Sequence, residues 1–219
     1  AFIGENPNGT WTVTISDDAS GDGGSLNSWS LQTSTLSSPP TVAVVPTVTN
    51  NTPVVIPTGP GVVTSTVNVA GAGTSISDVD LTTFITHTFP GDLDMTITSP
   101  AGTVVTLTTD NAASNDDVFN GTVWDDDANP AGQVPYATNN GMVTDHAYVI
   151  STLASPLTPE EALGAFIGEN PNGVWTITIS DDASGDGGTL NSWSLNIDTA
   201  TCVVATPTPT PLADLAIVK

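Results

Sequence analysis

The chain has 219 residues, 23 of them acidic and only one, Lys219, basic, for a formal net charge of −22. Without a Lys/Arg stripe it cannot displace the counterions of nucleic acid, and an anionic membrane surface repels it, so both partners are excluded. With 38% hydrophobic residues, 20 glycines and only 11% charged residues, it can bury a core in one or two domains and is not a dense acidic tail.

Residues 1–31 read AFIGENPNGTWTVTISDDASGDGGSLNSWSL, and residues 165–195 read AFIGENPNGVWTITISDDASGDGGTLNSWSL. They match at 28 of 31 positions, differing only at Thr10/Val174, Val13/Ile177 and Ser25/Thr189. A piece this small cannot bury a core of its own. Residues 1–33 are therefore expected to be the C-terminal hairpin of a preceding repeat, and both chain ends read as cuts through a longer polypeptide. Residues 34–60 are rich in Pro, Thr, Ser and Val, a composition for extended chain with edge-strand character, and 34–53 is expected to be a linker.

From residue 54 to 197 the hydrophobic period is two. Trp175, Ile177 and Ile179 alternate with Thr176, Thr178 and Ser180, and Trp193, Leu195 and Ile197 alternate with Ser194 and Asn196. Strands with one face on a core and one in water give this pattern. Residues 63–69, 81–89, 93–98 and 103–108 are further strand candidates, punctuated by Gly-Asp, Ser-Pro, Ala-Gly and Asn-Gly turns. Residues 159–163 offer barely one turn of helix. The pattern predicts one complete all-β module, an antiparallel sandwich or jelly roll. Residues 198–212, with Thr206-Pro207-Thr208-Pro209, read as a polyproline-type linker, and 213–219 as the start of a further repeat. The single cysteine, Cys202, excludes an internal disulfide and reads as an inert linker thiol. Sequons begin at Asn8, Asn50 and Asn120.

Four segments go beyond a generic sandwich: Ile85-Thr86-His87-Thr88-Phe89-Pro90-Gly91-Asp92-Leu93, Ser99-Pro100-Ala101-Gly102-Thr103, Val123-Trp124-Asp125-Asp126-Asp127-Ala128, and the stretch from Gly173 to Leu195. Their order and spacing resemble the P domain (P/Homo B domain) that follows the catalytic domain of kexin- and furin-like convertases. The module also follows secreted bacterial subtilisin-like proteases and recurs in bacterial surface proteins. The resemblance covers 54–197, with 1–31 as a partial copy, and implies a jelly roll of galactose-binding-like type with no catalytic machinery. The ending Ala213-Asp214-Leu215-Ala216-Ile217-Val218-Lys219 resembles the opening strand of an Ig-like repeat. On such a fold Trp175 and Trp193 would anchor the two sheets. Gly91 and Gly102 would suit turns with positive φ, and Pro100 an early turn position.

Asp92, the Asp116-Asp117 pair, the run Asp125-Asp126-Asp127, the Asp181-Asp182 pair and Asp186 all fall in expected turns. Clustered loop carboxylates are the hard oxygen ligands that calcium selects, while Asp in turns also caps backbone N–H groups without any metal. The resemblance implies calcium stabilisation, and Asp92, Asp125, Asp126 and Asp181, each flanking a family motif, are the expected Ca²⁺ ligands. No catalytic constellation accompanies them: a Gly-x-Ser-x-Gly elbow is absent, His87 sits mid-strand where a packed, hydrogen-bonded histidine is expected, and no sugar subsite flanks the paired carboxylates. The expected function is that of a non-catalytic structural module of a large secreted or cell-surface bacterial repeat protein. Its expected partners are neighbouring repeats or copies of itself, joined by hairpin complementation in a filament. The alternatives are an accessory domain stabilising an attached subtilisin-like protease, and a lectin-like adhesin module.

Overall fold

A computed structural model describes residues 7–15, 20–33, 41–128 and 141–201. Cys202, the Thr-Pro tract and 213–219 lie outside the described residues. The strands are β1 (Thr41–Val44), β2 (Val48–Asn50), β3 (Val54–Ile56), β4 (Gly61–Val69), β5 (Ile76–His87), β6 (Leu93–Thr98), β7 (Val104–Thr109), β8 (Asn120–Trp124), β9 (Gly173–Asp181) and β10 (Gly188–Thr201). They form two antiparallel sheets. One has the order β4-β9-β6-β7. In the other, β10 and β5 are central, β8 flanks β5, and β1, β2 and β3 line up end to end along the free edge of β10. The expected all-β sandwich is the observed fold.

The period-two pattern explains the layers. Alternate residues of β6 (Leu93, Met95, Ile97) and β9 (Trp175, Ile177, Ile179) face alternate residues of β10 (Leu190, Trp193, Leu195, Ile197) across one core, with a bulge between Leu190 and Ser192 shifting the phase. Trp175, Trp193 and Trp124 are fully buried, and each indole N–H has an acceptor: the Pro171 carbonyl at 2.9 Å, Ser65 Oγ at 2.9 Å and Thr83 Oγ1 at 3.0 Å. Large rings can then enter an apolar interior without an orphaned donor.

Two expectations about chain organisation change. Within residues 41–50, expected as linker, β1 and β2 pair with β10 between Trp193 and Thr201, so this stretch joins the sheet. Pro46 confines this segment to a sheet edge, and the long outer edge of β10 supplies a place for it. The repeated segment is also not a hairpin. β9 lies between β4 and β6 in one sheet, whereas β10 lies in the other, and the two never hydrogen-bond to each other. Residues 182–187 bridge the sandwich, so β9 and β10 form an arch rather than a hairpin.

Candidate functional site

Two acidic regions stand on this frame, and the four expected ligands are divided between them. The first lies where β5, β8 and β10 meet. Asp78 on β5 is directly opposite Asp198 on β10, Asp80 is opposite Asn196, and Asp125 and Asp127 follow β8. Burial, then the charges of Asp125, Asp78, Asp198 and Asp127, push the Asp80 carboxyl up to about 7. Asp78 is raised for the same reasons, burial first and then Asp125, Asp198 and Asp127. Like charges placed directly opposite on neighbouring strands destabilise a sheet.

The second region lies at the ends of β5 and β9. His87 and Asp181 are the last residues of their strands, both buried, with Nε2 and Oδ2 3.1 Å apart. His87 Nδ1 accepts the Phe89 N–H at 3.2 Å, which leaves Nε2 to donate to Asp181. Asp181 Oδ1 also accepts the Ala183 N–H at 3.3 Å. Since β5 and β9 belong to opposite sheets, this pair ties the layers together. A Cβ at Gly188 would lie 2.0 Å from the Thr86 carbonyl oxygen and 2.8 Å from the His87 ring, so only glycine lets β10 approach here. Asp92 stands nearby, its carboxyl raised by burial and then by Asp181 and Asp186.

Asp126 has a different task. Its carboxylate accepts the N–H groups of Leu163 at 2.9 Å and Gly164 at 2.8 Å, capping the 3-10 turn Leu163–Phe166. Asp125 Oδ1 accepts the Asp127 N–H at 2.6 Å. Asp125 and Asp126 thus sit at one place, Asp92 and Asp181 at another, and the carboxylates of Asp125, Asp126 and Asp181 are engaged by protein donors. Among the described residues no three His, Cys, Asp or Glu side chains are arranged to hold a metal ion. Calcium takes six to eight oxygens around one point, whereas these four carboxylates lie at two separate places. Sequence reasoning missed Asp78 and Asp80, because they occupy a strand, whereas the carboxylates expected as ligands are those of predicted turns. The Asp-x-Asp spacing, which puts both on one face of β5, was the available signal.

His87 is the packed, hydrogen-bonded histidine expected. His146, left without a role by the sequence, lies against Tyr148 with ring centroids 4.8 Å apart. Gly102 has the expected positive φ, +91°, and its N–H closes the Ser99–Gly102 turn on the Ser99 carbonyl at 3.0 Å, with Pro100 second in that turn. Gly91 differs. It lies in the 3-10 turn Pro90–Asp92, and glycine is needed because a Cβ would come within 2.7 Å of Ala113 Cα.

A two-sheet antiparallel sandwich with a buried inter-sheet His–Asp pair defines the class as a β-sandwich module. The model of the proprotein convertase P-domain matches residues 1–33 and 76–197, and the chain belongs to that family. P domains are non-catalytic modules and occur in secreted proteins. Among solved structures, the chain is similar to a serine protease of Aeromonas sobria in complex with its chaperone ORF2, at 18% identity and a TM-score of 0.47 over 75% of this chain and 28% of that one. It is also similar to a second crystal structure of the serine protease of Aeromonas sobria, at 18% identity and a TM-score of 0.45 over 74% of this chain and 28% of that one. The chain thus spans little more than a quarter of those proteins. No match is found among curated proteins. Among the described residues, no helix is long and apolar enough to cross a membrane.

Proposed function

We propose that this chain is a non-catalytic structural unit of a large secreted or cell-surface bacterial protein in which P-domain modules follow one another, 1–33 being the closing segment of one and 41–201 the whole of the next. The observation that carries this reading is the second copy of the β9–β10 arch, identical at 28 of 31 positions, ahead of a module that already has its own. An enzyme needs no such spare, whereas an array generates one wherever a module boundary falls. Interdomain assembly by complementation of the arch along one polypeptide belongs to the same reading. Sequencing the encoding gene outward in both directions tests it: further P-domain modules are expected, and a single upstream subtilisin-like catalytic domain would replace it. That second reading, an accessory domain of a protease, is favoured by the family match itself.

Cation stabilisation is part of the proposal in a restricted form. The charges of Asp125, Asp127 and Asp198 raise the proton affinity of Asp78 and Asp80, and the chain's single basic residue cannot neutralise them. Calcium in solution would relieve that repulsion as a diffuse counter-ion, without a cage. Millimolar calcium and magnesium should then raise the melting temperature alike. A calcium-specific rise at micromolar concentration would show that a dedicated site exists.

A further inference from the structure

We infer that the partner of residues 1–33 is a P-domain body that lacks its own closing arch, and that a second copy of this chain cannot take that place. The inference rests on the array reading above and names the surface through which the array would hold together.

The arch cannot fold alone. All nine residues of β9 pair with β4, and six of its positions also pair with β6, while β10 pairs with β5 on one edge and with β1–β3 on the other. Every ladder hydrogen bond of the pair is therefore made to other strands. In residues 7–15 and 20–33, where those strands are not supplied, no strand forms, and Val13, Ile15, Leu26, Trp29 and Leu31 are exposed. Their counterparts Ile177, Ile179, Leu190, Trp193 and Leu195 are all buried. One element of the arch does persist. Trp11 Nε1 donates to the Pro7 carbonyl at 3.0 Å, as Trp175 does to Pro171 at 2.9 Å, so the entry to the first strand is already shaped.

The fit to a P-domain body is defined by the three differences. Val174, the counterpart of Thr10, is exposed, and Thr189, the counterpart of Ser25, is only partly buried. Val13 for Ile177 is the single change that reaches the core, and it removes one methylene. The segment therefore suits a cavity built like the one between β4, β6, β5 and β1–β3.

Counting decides the occupant. Each copy of this chain offers one such cavity, already filled by residues 173–201, and carries two segments able to fill it. Exchange between copies only swaps which segment is left exposed, with no net burial to offset the lost freedom of association. A body without an arch reverses that balance.

The test is a longer chain in which residues 41–164 are placed directly ahead of residues 1–219. Ala1 is the counterpart of Ala165, so Gly164 is followed by its native sequence and the seam adds nothing foreign. Two folded modules are expected. The calorimetric unfolding enthalpy should roughly double, Trp11 and Trp29 should become shielded from acrylamide, and residues 7–33 should become protease-resistant. Ile15→Ser with Trp29→Ser in the longer chain should remove the added module and leave the native one melting unchanged. If the added body stays unfolded or aggregates, and 7–33 stays accessible, the inference is overturned while the genetic test of the array stands apart. The original chain should run as a monomer at all accessible concentrations. Oligomers that the same two substitutions abolish would show that copies of the chain are the partner after all.

Discussion

Residues 7–15 and 20–33 have nearly the same sequence as residues 171–179 and 184–197, in two different states. Trp193 is 1% exposed and Trp29 is 49%; Ile179 is 1% exposed and Ile15 is 67%. Alternating pattern, turn glycines and β-branched residues are common to both, so local propensity cannot account for the difference. What differs is whether strands are present on either side. A hairpin would have kept some of its own ladder, but an arch keeps none, because its strands lie in opposite sheets. The part that does persist in both copies, the Trp to Pro carbonyl hydrogen bond, spans four residues and needs no neighbour.

The largest expected effect separates the two copies directly. Trp193→Ala should cost about 3–5 kcal/mol and unfold the module, whereas Trp29→Ala should shift stability by no more than about 0.5 kcal/mol. Thermal melts followed by circular dichroism distinguish these outcomes, and equal losses would mean that the first copy is packed after all. Next in size is the inter-sheet pair. Asp181→Ala leaves the buried His87 Nε2 without its acceptor and should cost about 1–3 kcal/mol by urea denaturation. A neutral result would mean that the pair adds nothing to the joining of β5 and β9.

A smaller effect has a defined pH dependence. The Asp80 carboxyl is raised from 3.8 to about 7 in the folded chain, so between those values the folded state binds more protons than the unfolded one. Stability from this group is therefore present below about pH 4 and lost as pH rises towards 7. Asp80→Asn should raise the melting temperature at pH 8 by a few degrees and leave it unchanged at pH 3. An equal rise at both pH values would trace the gain to packing and not to charge. The smallest effect is that of cations: calcium and magnesium at millimolar levels should bring the wild-type melt at pH 8 towards that of Asp80→Asn, and should add little to the variant.

The sequence pattern located β6 at 93–98 as expected, whereas the strand expected at 81–89 is β5, which begins five residues earlier at Ile76 and ends at His87. It missed β1 and β2 because their side chains are largely exposed and prolines break the run; only the long outer edge of β10 makes them strands. It missed β8 because Asn120-Gly121 reads as a turn, although Gly121, at φ +113°, lies within a strand beside a bulge. The carboxylates were legible as loop residues, but their tasks were not. Asp126 meets Leu163 and Gly164 from 37 and 38 positions away, and Asp181 meets His87 across 94 positions. No local spacing encodes such contacts. The arch was read as a hairpin for a similar reason: alternation shows which face of a strand is buried, and is silent about which sheet the strand joins.

Hydrogen exchange on the intact chain tests the central claim, that one sequence is ordered or left open according to the strands around it. Amides of β9 and β10 should exchange only through global unfolding, while those of residues 7–15 and 20–33 should exchange as fast as an unstructured peptide. Comparable protection in the two copies would contradict the account.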